Sequence, residues 1–315
     1  MSLLGSSRFY GSQLDDLYGR YPPDIVDVSF RSRMWGEAGQ VGEFADEFGI
    51  LWKKTNPDYV GQPVRGPLED LRMLDTYVFP DAGANGRFDA AAIEDAIAGN
   101  PERFIRAYAG HLFEPLQWLR GTTNLLMDLY DEDRARLLED LLERMTDYVV
   151  QTVRNWRPFR VDGIWFMDDW GSNRQLLIDP QKWRTFFKPR YRRIIREIHE
   201  CGWPAEMHSD GYIFPIIPDL IELGLDVLNP QHNLMGNREV RELCFGKICI
   251  RSDIDCQMVL PFASAEEVRR HVREVVRDFK HPDGGLILHG EVEIGVPFEN
   301  YRAMYEEFER EGSYG

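Results

Sequence analysis

His208 and Asp210 stand two residues apart at the end of the short run Pro204-Ala-Glu-Met, just ahead of Gly211. On an extended strand such a pair faces one side, so an imidazole and a carboxylate are presented together. With a third ligand and an open position, that pair makes a catalytic zinc arrangement. His289 and Glu291 repeat the spacing after Gly285-Leu-Ile-Leu, which gives the candidate ligand set His208, Asp210, His289 and Glu291. The alternative is a hydrogen-bonded His–Asp pair that only orders a loop. Asp168 and Asp169 close a further run, Gly163-Ile-Trp-Phe-Met, before Trp170 and Gly171. Adjacent strand residues face opposite ways, so one of the two points inward. Asp169 is the choice, joining His208 and Asp210 as candidate catalytic residues, with a helix N-cap as its structural alternative. Phe166, Trp170 and Tyr212 are candidates to wall a pocket for an apolar substrate, and Asn229 and Gln231, delivered by Leu225-Asp-Val-Leu, to bind it.

These groups share one setting: a brief apolar run ending in polar residues. The pattern occurs at Asp162–Gly171, Pro204–Gly211, Lys247–Asp253 and Gly285–Glu291. Polar residues gathered at the C-terminal ends of successive strands are how a (β/α)₈ TIM barrel builds an active site. Between the runs lie helical stripes. Leu137, Leu138, Leu141, Leu142, Met145, Tyr148 and Val149 repeat at three-and-four spacing. Trp183 to Ile198 does the same, interrupted by Pro189, which must kink or split that helix. Ile216–Leu223 ends at Gly224, and Ser264-Ala-Glu-Glu267 is a capping box before Val268, Val272, Val275, Val276 and Phe279. Pro297 opens a last helix that ends near Gly312. Upstream, Asp24–Phe30 and Pro101–Tyr108 read as the first two barrel strands. The third falls in residues 120–131, where Leu125, Leu126 and Leu129 fit a helix equally well. Residues 41–80 read as a hairpin-like insertion over a barrel mouth.

The bounds agree with one domain spanning 1–315. A chain of 315 residues, 43% hydrophobic, buries a large core, and a formal charge of −16 disfavours nucleic acid, anionic membranes and polyanions. No apolar run is long enough to span a bilayer, and Met1-Ser-Leu-Leu-Gly-Ser-Ser lacks the order of a signal peptide, so a cytoplasmic protein with a small-molecule substrate is expected. Cys201, Cys244, Cys249 and Cys256 form no CxxC and read as reduced core residues, with Cys256 near the proposed site. No GxGxxG, P-loop, GxSxG or HExxH is present.

Taken together, Asp168-Asp-Trp-Gly-Ser-Asn, Phe186-Phe-Lys-Pro-Arg-Tyr, His208-Ser-Asp-Gly, Ile217–Gln231 and Val296-Pro-Phe-Glu-Asn-Tyr-Arg-Ala-Met-Tyr resemble the uroporphyrinogen decarboxylase superfamily over about residues 110–310. The resemblance implies a TIM barrel, with residues 1–100 as N-terminal extension and insertion and 101–312 as the best-matched barrel portion. Its members include porphyrinogen decarboxylases and zinc-dependent methyltransferases that work with corrinoid proteins. The decarboxylases share an arginine-bearing RQAGR-like run that grips substrate carboxylates, and this chain has none. The methyltransferases carry His-x-Cys and a later Cys. Here His208 matches the histidine, Asp210 takes the first cysteine's place and Gly290 the second's. The resemblance thus implies methyl transfer linked to a corrinoid carried by a partner protein, with zinc as the metal. The alternatives are a metal-independent decarboxylase of a tetrapyrrole or smaller acid, and a barrel that only binds a ligand.

Overall fold

Residues 5–32, 41–84 and 86–314 are described by a computed structural model. Met1–Leu4, the start of the segment read for targeting, lie outside them. Among the described residues are ten strands: β1 (Ile25–Val28), β2 (Gly42–Ala45), β3 (Leu51–Lys54), β4 (Gln62–Arg65), β5 (Phe104–Tyr108), β6 (Gly163–Met167), β7 (Ala205–Ser209), β8 (Val227–Pro230), β9 (Cys249–Arg251) and β10 (Leu286–Ile287). Seven form one parallel sheet in the order β1-β5-β6-β7-β8-β9-β10, interleaved with helices in the TIM-barrel manner. Residues 120–131, ambiguous by pattern, are helical instead, with the helix Thr122–Asp128 at their centre. The third strand of the sheet is therefore β6. Chain contacts divide the molecule into two compact units. The first holds residues 1–23, 170–177 and 208–315, the second residues 24–169 and 178–207.

The second unit contains β1, β5, β6 and the start of β7. One face of these strands carries charge where TIM barrels usually carry branched apolar residues. Arg106 on β5 donates through Nε and Nη2 to Asp27 of β1 at 2.7 and 3.0 Å, and through Nη1 to Glu206 of β7. Its guanidinium also lies over the ring of Trp165, 4.5 Å from the centroid. Residues 106 and 108 share this face, and Trp165 is the register partner of Tyr108. The other face is ordinary core, where Phe166 stacks on Tyr191, and Tyr191 on Trp183.

The helix Ala135–Asn155 buries Leu138, Leu141, Leu142, Met145 and Val149 of the predicted stripe and leaves Leu137 and Tyr148 half-buried. The proline break is a clean split at Phe187: one helix is Pro180–Phe186 and the next is Lys188–Glu200, with Pro189 in its first turn, where a missing N–H is not needed. The insertion is a three-stranded antiparallel sheet, β2-β3-β4. Asp46 organises its first turn, accepting from Phe48 N and Ile50 N at 2.9 Å and from Trp52 Nε1 at 2.8 Å. Gly66 follows β4 where any Cβ would come within 2.1 Å of the Leu119 carbonyl oxygen, so only glycine lets that strand lie against the helix Phe113–Arg120.

In the first unit, the Ser264–Glu267 capping box is reciprocal, and the helix it starts, Ala265–Phe279, buries Val268, Val272, Val275, Val276 and Phe279. At roughly 1.5–3 kcal/mol per buried side chain, that stripe holds the helix against Phe298–Glu311. The helix Ile217–Glu222 ends in a Schellman turn: Gly224 has φ 82° and Leu225 N donates back to Leu220 O at 3.2 Å.

Arg106 is the charge most tightly tied into the strands. Arg106→Met leaves Glu206 buried without its cation and is expected to cost about 3–5 kcal/mol in urea unfolding. Arg72→Met, which removes an exposed ion pair with Asp70, should leave the midpoint unchanged.

Candidate functional site

In the first unit the ends of β7, β8, β9 and β10 are tied by a continuous chain of hydrogen bonds. His208 Nδ1 lies 2.8 Å from Asn229 Oδ1. Asn229 Nδ2 donates to the carbonyls of Arg251 and Ser252 at 3.0 and 3.2 Å. Ser252 Oγ donates to His289 O at 2.9 Å and receives His289 N at 2.8 Å. The direction of this chain fixes chemistry. Two backbone carbonyls can only be met by the amide nitrogen of Asn229, so its oxygen faces His208 and accepts the proton of Nδ1. Nε2, the other ring nitrogen, lies 3.3 Å from Asp210 Oδ1: it carries the lone pair when the ring is neutral and pairs with that carboxylate when the ring is protonated.

Asp210 is placed by two crossing glycines. Gly171 N donates to Asp210 O at 3.2 Å, and Tyr212 N to Ser172 O at 2.8 Å. A Cβ on Gly171 would meet Tyr212 N at 2.3 Å, and one on Gly211, whose φ is 82°, would meet Gly171 O at 2.1 Å. Neither position tolerates a side chain. Gln231 completes the crossing by accepting from Gly211 N at 2.8 Å. That bond holds the loop.

Carboxylates gather round this pair. Asp253, just beyond β9, is 5% exposed, and its backbone is pinned on both sides: its N–H donates to His232 Nε2 at 3.2 Å and its carbonyl accepts from Asn233 at 2.9 Å. Burial, and then the negative charge of Glu291 and Asp210, push its carboxyl up to about 8. His232 is held neutral, at about 4, chiefly by its own burial, as its acceptor role requires. Glu293, expected to be a solvated loop carboxylate, is half-buried and raised by burial and by Glu291 and Asp210. Burial and the same carboxylates raise the Cys256 thiol, so it stays protonated. All four cysteines are free.

His289 and Glu291 do not join His208 and Asp210 in a group with ligand atoms within 4.8 Å, among the described residues. Gly290 between them has no room for a thiol: a Cβ there would lie 2.5 Å from Met304 Sδ and 3.2 Å from Ile254 Cβ. What the residues offer a metal is one imidazole nitrogen and several carboxylate oxygens whose mutual repulsion a divalent cation would relieve. That donor set suits a divalent ion of the harder kind.

The second unit holds the other expected residues. Asp168 is fully buried and accepts four hydrogen bonds, from Leu112 N, Phe113 N, Glu114 N and Tyr191 Oη at 2.7–3.0 Å. It anchors the N-terminus of the helix Phe113–Arg120, where the partial positive charge of the free N–H groups favours an anion. Burial still raises it, to about 6, against the attraction of His111. His111 and Glu114 pair at 2.6 Å beside it. Burial lowers the His111 pKa, but Glu114 and the two aspartates raise it more. These three residues have ligand atoms within 4.8 Å of one another, yet Asp168 has every lone pair engaged and the imidazole is already paired. They make an internal ion group. Asp169, the next residue, is half-buried.

The aromatic expectations divide by strand facing. Phe166 is 1% exposed and packs on Tyr191, away from the charged face of the sheet. Trp165, one residue earlier, takes that face. Trp170 is fully buried and supports its loop, its N–H bonded to Ser209 Oγ at 3.2 Å, while Tyr212 stays half-buried beside Phe214. Sequence reasoning missed Asp253, His111 and Glu114. Only Asp253 carried a signal, as the last residue of a run already recognised.

A model of the uroporphyrinogen decarboxylase (URO-D) family matches residues 117–310. None of the curated proteins matches. Among solved structures, a methyltransferase from Methanosarcina mazei is similar with a TM-score of 0.70 at 14% identity, over 99% of this chain and 92% of its own. A B12-independent methionine synthase from Shewanella sp. W3-18-1 follows at 0.49 and 14% identity, over 71% of this chain and 68% of its own. An intracellular xylanase from Thermoanaerobacterium saccharolyticum gives 0.42 and 13%, over 70% and 81%. At such identities the likeness establishes the fold, and only the first score carries weight. No helix among the described residues is long and apolar enough to cross a membrane.

The position of Asp253 gives a pH signature. Its carboxyl ionises near 8 in the folded chain and near 3.9 unfolded, so between those values the folded state binds the extra proton and stability falls as pH rises. In urea titrations with chelator present, the protein should be less stable at pH 8 than at pH 5, and Asp253→Asn should flatten that decline.

Proposed function

The chain belongs to the uroporphyrinogen decarboxylase family, and from that premise we propose that it is an enzyme that transfers a methyl group from a small molecule, using a divalent cation. Methyl transfer is the activity named for the similar Methanosarcina mazei protein. The observation that carries the reading is the orientation of His208: Asn229 accepts the hydrogen bond from Nδ1, which turns Nε2 toward Asp210, among carboxylates. A metal-bound histidine is held in this way, its second nitrogen donating to a fixed oxygen acceptor.

His208 and Asp210 would hold the ion, and His289 and Glu291, which lie outside that group here, are the further ligands proposed from the sequence. Zinc is the ion implied by the family resemblance, but carboxylates in place of thiolates weaken its hold and let other divalent ions compete. When bound, the ion supplies Lewis acidity that polarises the oxygen or nitrogen bearing the methyl group. The chain's own residues do the rest. Asp253 is placed to hold a proton at neutral pH, and Asp169 is proposed as the catalytic carboxylate that faces developing positive charge. Tyr212 and Asn229 are proposed to border the substrate. The acceptor in this reading is a corrinoid presented by a partner protein.

Metal content tests the reading. Protein prepared without chelator should contain close to one equivalent of a divalent transition ion, and should lose it as pH falls and His208 and the carboxylates protonate. His208→Ala should abolish binding and turnover while leaving the melting temperature of the metal-free protein within a few degrees. Asn229→Leu, which frees the ring without removing a ligand, should weaken the metal by about 10–100-fold. Metal-free protein whose turnover ignores chelators would instead favour decarboxylation without an ion.

A further inference from the structure

In the second unit a buried arginine has its best carboxylate-binding edge unused. Arg87 is 8% exposed, and its guanidinium lies 4.4 Å from the ring centroid of Phe30 and 5.3 Å from that of Tyr148. Its hydrogen bond to a charged partner runs from Nη1 to a single oxygen of Glu47, at 3.2 Å. Nε and Nη2 are sealed from solvent, and among the described residues no carboxylate meets them.

Other arginines of this chain show what that edge is for. Arg106 uses Nε and Nη2 to grip both oxygens of Asp27, at 2.7 and 3.0 Å. Arg144 grips Asp140 with the same two atoms at 3.1 and 2.7 Å, and Arg154 grips Glu197 at 2.9 and 2.7 Å. A planar fork meeting a planar carboxylate gives two parallel charge-assisted hydrogen bonds, and a buried fork left unpaired is costly.

Further donors lie alongside. Tyr148 Oη is buried against the Arg87 side chain, with which it makes a hydrogen-bonding contact, and Tyr108 Oη is buried without a hydrogen-bond partner among the described residues. Phe30 links them, touching Arg87 on one side and stacking on Tyr108 on the other, 5.7 Å between centroids and 12° between planes. Tyr108 ends β5, and Phe30 lies two residues beyond β1, so the cluster sits at the strand ends where this fold places its ligands. In a chain of charge −16, such a local group of donors is the means of admitting an anion.

We propose that Arg87, with Tyr148 beside it, is a binding site for a carboxylate-bearing small molecule, the carboxylate taking the Nε and Nη2 edge. The aromatic rings around the guanidinium favour a ligand whose carboxylate is attached to a flat apolar body. That this ligand is the enzyme's substrate rests on the methyl-transfer reading above. The binding itself does not, and is measured without turnover.

The probes are acetate, benzoate and succinate, each at matched ionic strength, with acetamide, benzamide and succinamide as neutral counterparts of similar shape. The wild-type protein should show a saturable rise in melting temperature with at least one carboxylate and none with its amide. In protein labelled with ¹⁵N-arginine, the same carboxylate should move the Arg87 Nε resonance. Arg87→Met should weaken binding at least tenfold, and Arg87→Lys should recover only part of it, since it restores charge without the fork. Should Arg87→Met fail to fold, Tyr148→Phe serves as the second variant, expected to weaken binding several-fold. Saturation by none of the three carboxylates would overturn the proposal. So would equal affinity in folded Arg87→Met, an undisturbed Arg87 Nε resonance at saturation, or equal response to acid and amide.

Discussion

Asn229 is the residue on which the candidate site turns. It stands at the end of β8 with its amide nitrogen committed to two carbonyls of the next strand, and that commitment leaves its oxygen one possible role. Nδ1 of His208 is thereby the donor to that oxygen, and Nε2 is turned toward Asp210. The same chain of bonds continues through Ser252 to the backbone of His289. Parallel strands deliver these residues to one edge of the sheet, and hydrogen bonds between neighbouring strand ends turn proximity into fixed orientation. Such fixation is what a metal or a proton transfer requires of its ligands.

A second constraint is charge. The first unit crowds Asp210, Asp253, Glu291 and Glu293 round His208, and the strain is visible as carboxyls displaced upward at Asp253 and Glu293. The second unit solves the same problem with internal partners. Arg106 is clamped between Asp27 and Glu206, and Asp168 is surrounded by four donors. Charges that are already satisfied hold the frame, and the unsatisfied ones mark where chemistry or binding is to be sought.

Much of this was legible in the sequence. The capping box, the helix stop at Gly224, the split at Pro189 and the strand ends at His208 and Asn229 each follow from local rules about caps, rings and facing, and the chain obeys them. What was illegible depends on what a residue meets. Residues 120–131 were ambiguous because three leucines fit a strand or a helix alike, and neighbouring helices decided the matter. Phe166 reads as a pocket wall, but the alternation of the strand sends it to the core and Trp165 to the charged face. Gln231 reads as a ligand-binding amide, and nothing around it in the sequence announces that its oxygen also holds the Gly211 backbone. No pattern announces that Met304 fills the space beside Gly290, or that Arg87 meets Phe30 from some fifty residues away.

The central claim is that Asn229 fixes His208 as the Nδ1-protonated tautomer with Nε2 available. ¹⁵N NMR of histidine-labelled protein at neutral pH reads this directly, with His208→Gln to assign the resonances. The account predicts that Nδ1 of His208 carries the proton and that Nε2 has the signature of an unprotonated nitrogen, moving when a divalent cation is added. A His208 protonated at Nε2, or one whose Nε2 ignores every divalent ion at concentrations the protein otherwise tolerates, would contradict it.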